Sequence, residues 1–406
     1  MSGPLSGVKV LELSTFVAAP CCARLMADLG ADVIKVERTD GDAWRKTGVS
    51  YIPSRFNDKE NPVFDIYNSG KRHIALNLKD PAAMDAFHKL LSEADVFITN
   101  TRPAALHRLG IAYEDVKDKY PRLIYAIVLG YGEKGPDKDL PAFDTSAFWS
   151  RSGFLRDQGT ILPDGQYMPV TAPSSVGDTV TGYLLLAQIN AALYGRNITG
   201  KGDYVRSGLF HNAIFAMGTM TITTQPPFGL TYPKNRVDAG VPGGAYACSD
   251  GEWIFIASGY AAALIPLVCK AVGRDDLMED PEFTNSASRW KNRAKYYEIF
   301  KAEFLKQPAA YWVAKGKELD FPLVRMGHFA DIATDEQAWA NDYLEHVTFE
   351  NGNVDVMPRS PIEMDSVGLL HTKTAPGVGA HTAEILGELG YTAQQIETMQ
   401  SAGAVK

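Results

Sequence analysis

Short apolar runs alternate with helically spaced segments along the first half of the chain. Residues 8–13 (VKVLEL) and 32–37 (DVIKVE) are β-rich, and residues 24–30 between them have helical spacing, which predicts a β-α-β unit. Pro20 falls where the first turn of the connecting helix starts, and Gly30 where that helix stops. The pattern continues with a strand at 74–78, an amphipathic helix at 80–93, a strand at 95–99, a short helix at 113–118 and a strand at 123–129. Such alternation predicts a parallel sheet with helices on both faces. A strong helix follows at 179–194, where Leu184, Leu185, Leu186, Ile189, Ala192 and Leu193 form a broad apolar face. The glycine-rich TGKGD at 199–203 ends it, and residues 204–209 read as another strand.

Two stretches break the rhythm. Residues 140–176 are rich in Gly, Pro, Ser and aromatics with no sustained period, which predicts a long irregular segment of the kind that often carries function. From about residue 225 a Pro/Gly-rich connector leads into a hairpin pattern at 244–257 around Asp250-Gly251. Helical patterns at 261–272 and 291–305 complete what reads as a smaller second domain. Residues 382–399 are again helical, with Gly390 as a stop between two segments.

Composition narrows the class. With 406 residues, 45% of them hydrophobic, the chain has ample material for a large core, which excludes disorder and small disulfide scaffolds. A net charge of −8 argues against nucleic acid as a partner. Cys21, Cys22, Cys248 and Cys269 contain no C-x-x-C, so neither a zinc ribbon nor a redox dithiol is written here, and a reduced cytoplasmic location fits best. The start MSGPLSGVKV lacks the basic and apolar regions of a signal peptide, and the apolar windows at 183–194 and 260–269 are too short to span a bilayer.

Candidate chemistry is sparse. GYGEKG at 130–135 spells G-x-G-x-x-G, but Pro136 and DKDLP follow it rather than an apolar helix, so a dinucleotide site is not expected. A turn at the carboxyl edge of the sheet, where ligands bind, is expected instead. The eight histidines show no metal-binding spacing, and no G-x-S-x-G elbow is present. VGD at 176–178 opens the strongest helix and places Asp178 at or near its N-cap, where the helix dipole favours an ionised carboxylate. Capping alone explains such an aspartate. The preceding Gly177 and the irregular segment add a route for close approach of a ligand. Arg38, Lys71, Arg72, Arg102 and Arg108 lie near strand–helix junctions and suggest a phosphate-bearing ligand.

Several blocks together resemble the class III CoA-transferases. They are PLSGVKVLELSTFVAAPCCARLMADLGADVIKVER (4–38), NSGKRHIALNLK (68–79), ADVFITNTRPAALHRLG (94–110), GYGEKGP (130–136), GDTVTGYLLLAQINAALYGRNITGKGDYV (177–205) and GAHTAEILGELGY (379–391). DKDLPAFDTSAFWSRSG (137–153) and DEQAWANDYL (335–344) are similar to the branch that moves CoA between 2-hydroxy acids and enoyl-CoA products in amino-acid fermentation. The resemblance implies a Rossmann-like α/β large domain from residues 1–224 and 326–406 around a smaller inserted α+β domain at 225–325, in an interlocked-ring homodimer. It implies Asp178 as the nucleophile, acting through an aspartyl anhydride and an aspartyl-CoA thioester. It also implies CoA, as acyl-CoA substrate, touching Phe16, Val17, Ala18, Arg38, Arg72, Leu76, Asn100, Thr101 and Arg108, with no metal and no tightly bound cofactor. An ordinary aspartate, with a pKa of about 3.9, is ionised at neutral pH and needs no histidine activator.

The implied reaction carries CoA from an aryl- or alkyl-enoyl-CoA, cinnamoyl-CoA for example, to a 2-hydroxy acid such as phenyllactate. Phe148, Trp149, Phe215, Met217 and Met220 are candidates for the acyl pocket, although such residues are commonly core. Two departures stand out: Ala19 replaces a frequent glycine, and the small-domain glycine loop shrinks to Gly243-Gly244. The main alternative is a 2-methylacyl-CoA racemase, which needs a His–Asp acid/base pair; its G-H-D stretch is Ala142-Phe143-Asp144 here, and phenylalanine carries no proton. The other is a non-catalytic CoA-binding protein, which has no need of Asp178.

Overall fold

Six of the apolar runs form one parallel sheet: β1 (Lys9–Leu13), β2 (Asp32–Glu37), β3 (Arg72–Ala75), β4 (Val96–Thr99), β5 (Ile124–Leu129) and β6 (Tyr204–Gly208). The computed structural model describes residues 3–47, 60–162, 166–234, 236–257 and 262–406. From edge to edge the strands run β3-β2-β1-β4-β5-β6, every neighbouring pair parallel. This is the doubly wound order, in which the connections reverse direction between β1 and β4. The alternation expected from sequence is therefore realised as a mixed α/β fold. β3 begins earlier than expected, and Leu76 leaves the sheet to bridge Val405.

Strand geometry sends successive side chains to opposite faces, and each face has its own helical cover. Leu11, Phe97 and Tyr125 meet Phe87, Leu90 and Leu91 of the Pro81–Glu93 helix, together with Ile385 and Leu386. Val10, Val33, Ile98 and Ala126 meet Ala23 and Met26 of the Ala18–Asp28 helix, together with Leu185, Ile189 and Leu193 of the long Val176–Thr199 helix. The first helix starts well before residue 24 because Val17 ends the preceding turn and its carbonyl accepts from Cys21 N at 2.7 Å. The long helix likewise outruns its expected bounds at both ends. It is apolar on two sides: Leu185, Ile189 and Leu193 are buried, whereas Leu184, Tyr194 and Ile198 are exposed.

The chain divides into two units, one of Met1–Phe154, Ala172–Thr223 and Ala333–Lys406, the other of Leu155–Thr171 and Thr224–Ile332. Residues 155–171, read from the sequence with the first domain, thus fall in the second unit; they contain a short antiparallel pairing of Thr160–Ile161 with Tyr167–Met168. The second unit also holds a three-stranded antiparallel sheet with Trp253–Ile256 between Gly244–Ala247 and Leu323–Arg325. The Asp250-Gly251 turn joins the first two of these strands, and Tyr246, Ile254, Phe300, Phe304 and Trp312 fill the core beneath. Gly244, half of the reduced glycine pair, is the first residue of an edge strand. Among the described residues, no helix is long and apolar enough to cross a membrane.

One close approach fixes where the long helix lies. A Cβ built at Gly182 comes to 2.8 Å from Ala18 O and 2.9 Å from Cys21 Cβ, so the backbones of the two helices cross where only hydrogen fits. We expect Gly182→Val to lower stability by about 2–3 kcal/mol through this overpacking, measured by urea denaturation; a change below about 0.5 kcal/mol contradicts the crossing.

Candidate active site

Ligands of doubly wound sheets bind in the crevice beyond the carboxyl ends of the strands, at the point where strand order reverses. Here that crevice is a cavity of about 250 Å³. Residues following β1 (Thr15, Phe16, Val17, Ala18), β4 (Asn100, Arg102, Pro103) and β6 (Leu209) line it, with Gly130 at the end of β5. Lys138, Leu140, Ala142 and Phe143 from the irregular segment add a further wall, and Asp178 faces the same space. Gly130 is required there, because a Cβ on it falls 2.2 Å from that of Ala142.

Asp178 lies near the N-cap, as expected from sequence, rather than at it. The N-cap is Ser175, held at φ +64°, and Asp178 occupies the first turn of the helix. Its backbone N–H donates to Asp144 Oδ1 at 3.1 Å. Asp144 opens a π-helical turn over Asp144–Ser150, an irregularity frequent at functional sites. It is only 6% exposed, packed with the buried rings of Phe148 and Trp149. The glycine of the G-D pair now has a physical reason: a Cβ on Gly177 lies 2.2 Å from Asp144 Oδ1 and 2.4 Å from Phe148 Cγ.

Electrostatics then depart from the sequence expectation of an ordinary, ionised aspartate. Burial, reinforced by the neighbouring Asp144 carboxylate, pushes Asp178 up to about 7. Burial also raises Asp144. The facing Trp149 side chain and the backbone N–H groups of residues 175, 177 and 178 oppose that rise. Among the described residues, Asp144 Oδ2 and Trp149 Nε1 are buried with no partner in hydrogen-bond geometry. Among the described residues, no group of three His, Cys, Asp or Glu side chains is arranged to hold a metal ion.

The structure gathers some of the expected contact residues and disperses others. Phe16, Val17, Ala18 and Asn100 line the cavity with Asp178. Asn100 has both ends of its amide engaged: Oδ1 accepts from Thr15 N at 3.0 Å, and Nδ2 donates to Thr15 O at 2.6 Å. It therefore braces β1 against β4 at the reversal point. Thr101 lies just behind, its N–H donating to Thr99 Oγ1 at 3.1 Å. Arg38 is exposed and paired with Asp40 at 2.9 Å, and Arg108 is exposed in the last turn of the Pro103–Leu109 helix. Neither lines the cavity.

Leu76 is buried in the core. Arg72 is a clear correction: as the first residue of β3 it lies at the opposite, amino edge of the sheet, bound to Asp32, Glu384 and Glu388. Phe148 and Trp149 wall Asp144 rather than the cavity, Met217 is core, and Phe215 is 81% exposed. Sequence reasoning missed Asp144, Leu140 and Lys138 as site residues. The available signals were the 137–153 block of resemblance and Asp144 at the end of the counterpart of the racemase G-H-D stretch.

The site thus has Asp178 lining the crevice at the reversal point of a doubly wound sheet, with Asp144 hydrogen-bonded to its backbone. The chain matches the family model for CoA-transferase family III over residues 5–382 and belongs to that family. It is 39% identical over 403 residues to (R)-2-hydroxy-4-methylpentanoate CoA-transferase of Clostridioides difficile, covering 99% of each chain. It is 37% identical over 398 residues to cinnamoyl-CoA:phenyllactate CoA-transferase of Clostridium sporogenes, covering 97% of this chain and 95% of that one. Among solved structures, a CAIB/BAIF family protein from Brucella suis superposes with a TM-score of 0.81 at 27% identity, covering 96% of this chain and all of the other.

The raised Asp178 carries a stability prediction. An aspartate near 3.9 in the unfolded chain and near 7 in the fold costs nothing below pH 4, where both states are protonated. The cost grows between pH 4 and 7 and is complete above. Asp178→Asn should therefore stabilise the protein by on the order of 1–2 kcal/mol at pH 8 and by close to nothing at pH 4, read from urea denaturation. Equal effects at both pH values contradict the assignment.

Proposed function

We propose that the chain transfers CoA from an acyl-CoA to a 2-hydroxy carboxylic acid, with Asp178 as the nucleophile. The observation that carries this reading is the raised carboxyl of Asp178, facing the cavity at the strand-order reversal in a family III chain. The names of the two relatives above, both transferases of 2-hydroxy acids, support the substrate class. Phe16, Leu140 and Phe143 give the cavity an apolar wall suited to a branched or aryl side chain. Phe143 also stands where a racemase needs a proton-carrying histidine, which disfavours that alternative.

The steps balance as two thioester exchanges. Asp178 Oδ attacks the donor carbonyl, the C–S bond breaks, and an aspartyl mixed anhydride forms with release of the CoA thiolate. The thiolate attacks the aspartyl carbonyl, expelling the donor as carboxylate and leaving an aspartyl-CoA thioester. The acceptor carboxylate then attacks that thioester, its C–S bond breaks with release of the CoA thiolate, and a second anhydride forms. Thiolate finally takes the acceptor acyl group and returns the Asp178 carboxylate. Activation is conserved throughout, because each step exchanges one acyl bond for another.

The surroundings favour the acylated states. Burial and Asp144 both oppose a negative charge on Asp178, and acylation removes that charge. Ala18 and Ala19, in the first turn of their helix, have N–H groups without intrahelical acceptors, and Ala18 lines the cavity. These groups suit the carbonyl oxygen as it becomes anionic. Arg102 and Lys138 at the rim suit phosphates of CoA. Arg38, Thr101 and Arg108 remain candidates for the more distant parts of the same ligand.

We extend the reading to a homodimer in a reducing cytoplasm. The long helix exposes Val176, Tyr183, Leu184, Ala187, Ala191, Tyr194 and Ile198, a stripe at helical spacing along its whole length that suits a second subunit. All four cysteines are buried free thiols.

The test is a pH profile of CoA transfer from cinnamoyl-CoA to phenyllactate or (R)-2-hydroxy-4-methylpentanoate. We expect kcat/KM for the acyl-CoA to fall about tenfold per unit below pH 7 and to level off above. Asp144→Asn should move that acidic limb to lower pH by removing the like charge. Transfer that persists at the native rate in Asp178→Asn contradicts the proposal.

A further inference from the structure

Parallel strands covered on both faces are ordinarily continuous apolar runs. β1 and β2 instead carry Glu12 and Lys35, opposite each other in register and both with no exposed surface. Lys35 Nζ lies 2.9 Å from Glu12 Oε1 and 3.0 Å from Asp42 Oδ2. Lys71 Nζ lies 2.7 Å from Glu12 Oε2. The two positive and two negative charges balance, but desolvating them makes such a cluster a weak source of stability compared with apolar packing.

What the cluster does is grip one turn of backbone. Lys35 Nζ donates to Ser14 O at 3.0 Å, and Lys71 Nζ donates to Pro20 O at 2.9 Å. Asp42 Oδ1 accepts from Phe16 N at 3.3 Å and from Trp44 N at 2.9 Å. Every one of these contacts except that to Trp44 falls within residues 14–20, the turn that brings Phe16, Val17 and Ala18 to the cavity. Phe16 sits at φ +64°, a left-handed conformation that a bulky L-residue keeps only when its surroundings impose it. Its ring is fixed as well, 5.9 Å from that of Trp44 and 5.4 Å from that of Phe143.

We propose that the buried Glu12–Lys35–Asp42–Lys71 cluster is the positioning device for the thioester end of CoA. Through Asp42 it holds Phe16 left-handed, and so keeps the residues 16–18 backbone in place beside Asp178. Asp42 is a positioning residue: it acts on the ligand only through the turn. The inference rests on the reading of the cavity as the CoA thioester site.

Calorimetric titration with CoA tests it on the full-length chain and on Asp42→Ala, Asp42→Asn, Phe16→Gly and the Asp42→Ala/Phe16→Gly double variant, with thermal melts confirming that each is folded. Asp42→Ala removes the acceptor and should weaken CoA binding about tenfold. Asp42→Asn keeps an acceptor oxygen without the charge on Lys35 and should weaken binding about threefold. Glycine adopts positive φ without restraint, so Asp42→Ala should cost less than threefold in the Phe16→Gly background. A merely structural role lowers the melting temperature and leaves CoA affinity within 1.5-fold of the native chain in both Asp42 variants, which overturns the proposal. A full tenfold loss in the glycine background overturns it too. If Asp42→Ala does not fold, Asp42→Asn decides alone by the same criterion. A native chain that binds no CoA removes the functional reading and the proposal with it, whereas equal binding by native and variant chains removes the proposal only.

Discussion

Two carboxylates meet at the start of the long helix. Asp144 lies against the backbone of Gly177 and accepts from Asp178 N, and the like charge beneath Asp178 adds to burial in holding that side chain near neutrality. Much else in the first unit serves this arrangement. The irregular segment exists to bring Asp144 and its Phe148–Trp149 wall under the helix start, and the glycine before Asp178 leaves them room. Gly182, one turn on, lets the long helix lie against the first helix, so that Asp178 emerges beside the amino end of that helix.

The arrangement suits acyl exchange better than proton transfer. A desolvated carboxylate beside another is a strained ground state, and covalent acylation discharges it where binding alone does not. In the proposed reaction, the helix amino terminus at the strand-order reversal suits the acyl oxygen, and Arg102 and Lys138 suit the phosphates of the carrier. The turn at residues 14–20, hydrogen-bonded to buried charged side chains and to Asn100, lines the side of the cavity next to β1.

The large sheet was legible because its strands are short apolar runs separated by helical spacing, and β1, β2, β5 and β6 fall within a residue or two of where the pattern puts them. Asp178 was legible from its place in a Gly-Asp pair opening a strong helix, supported by the family resemblance. Its raised pKa was not, because burial, the larger cause, and the neighbouring Asp144, 34 residues distant in sequence, both arise from tertiary packing. Arg72 misled for a related reason: a basic residue near a strand end looks the same from sequence whichever edge of the sheet it occupies, and here its strand begins with it. Glu12 and Lys35 did interrupt their apolar runs visibly, and that interruption was the sequence trace of the buried cluster.

The central claim is that Asp178 becomes acylated during transfer, and oxygen isotope tracing tests it most directly. With an acceptor 2-hydroxy acid carrying ¹⁸O in its carboxylate, each turnover through the aspartyl-CoA thioester leaves one labelled oxygen in the carboxylate that ends the cycle. Mass spectrometry of peptides after turnover should find ¹⁸O in Asp178, dependent on acyl-CoA, with Asp144 unlabelled. Completed transfer with no label in Asp178 contradicts the account.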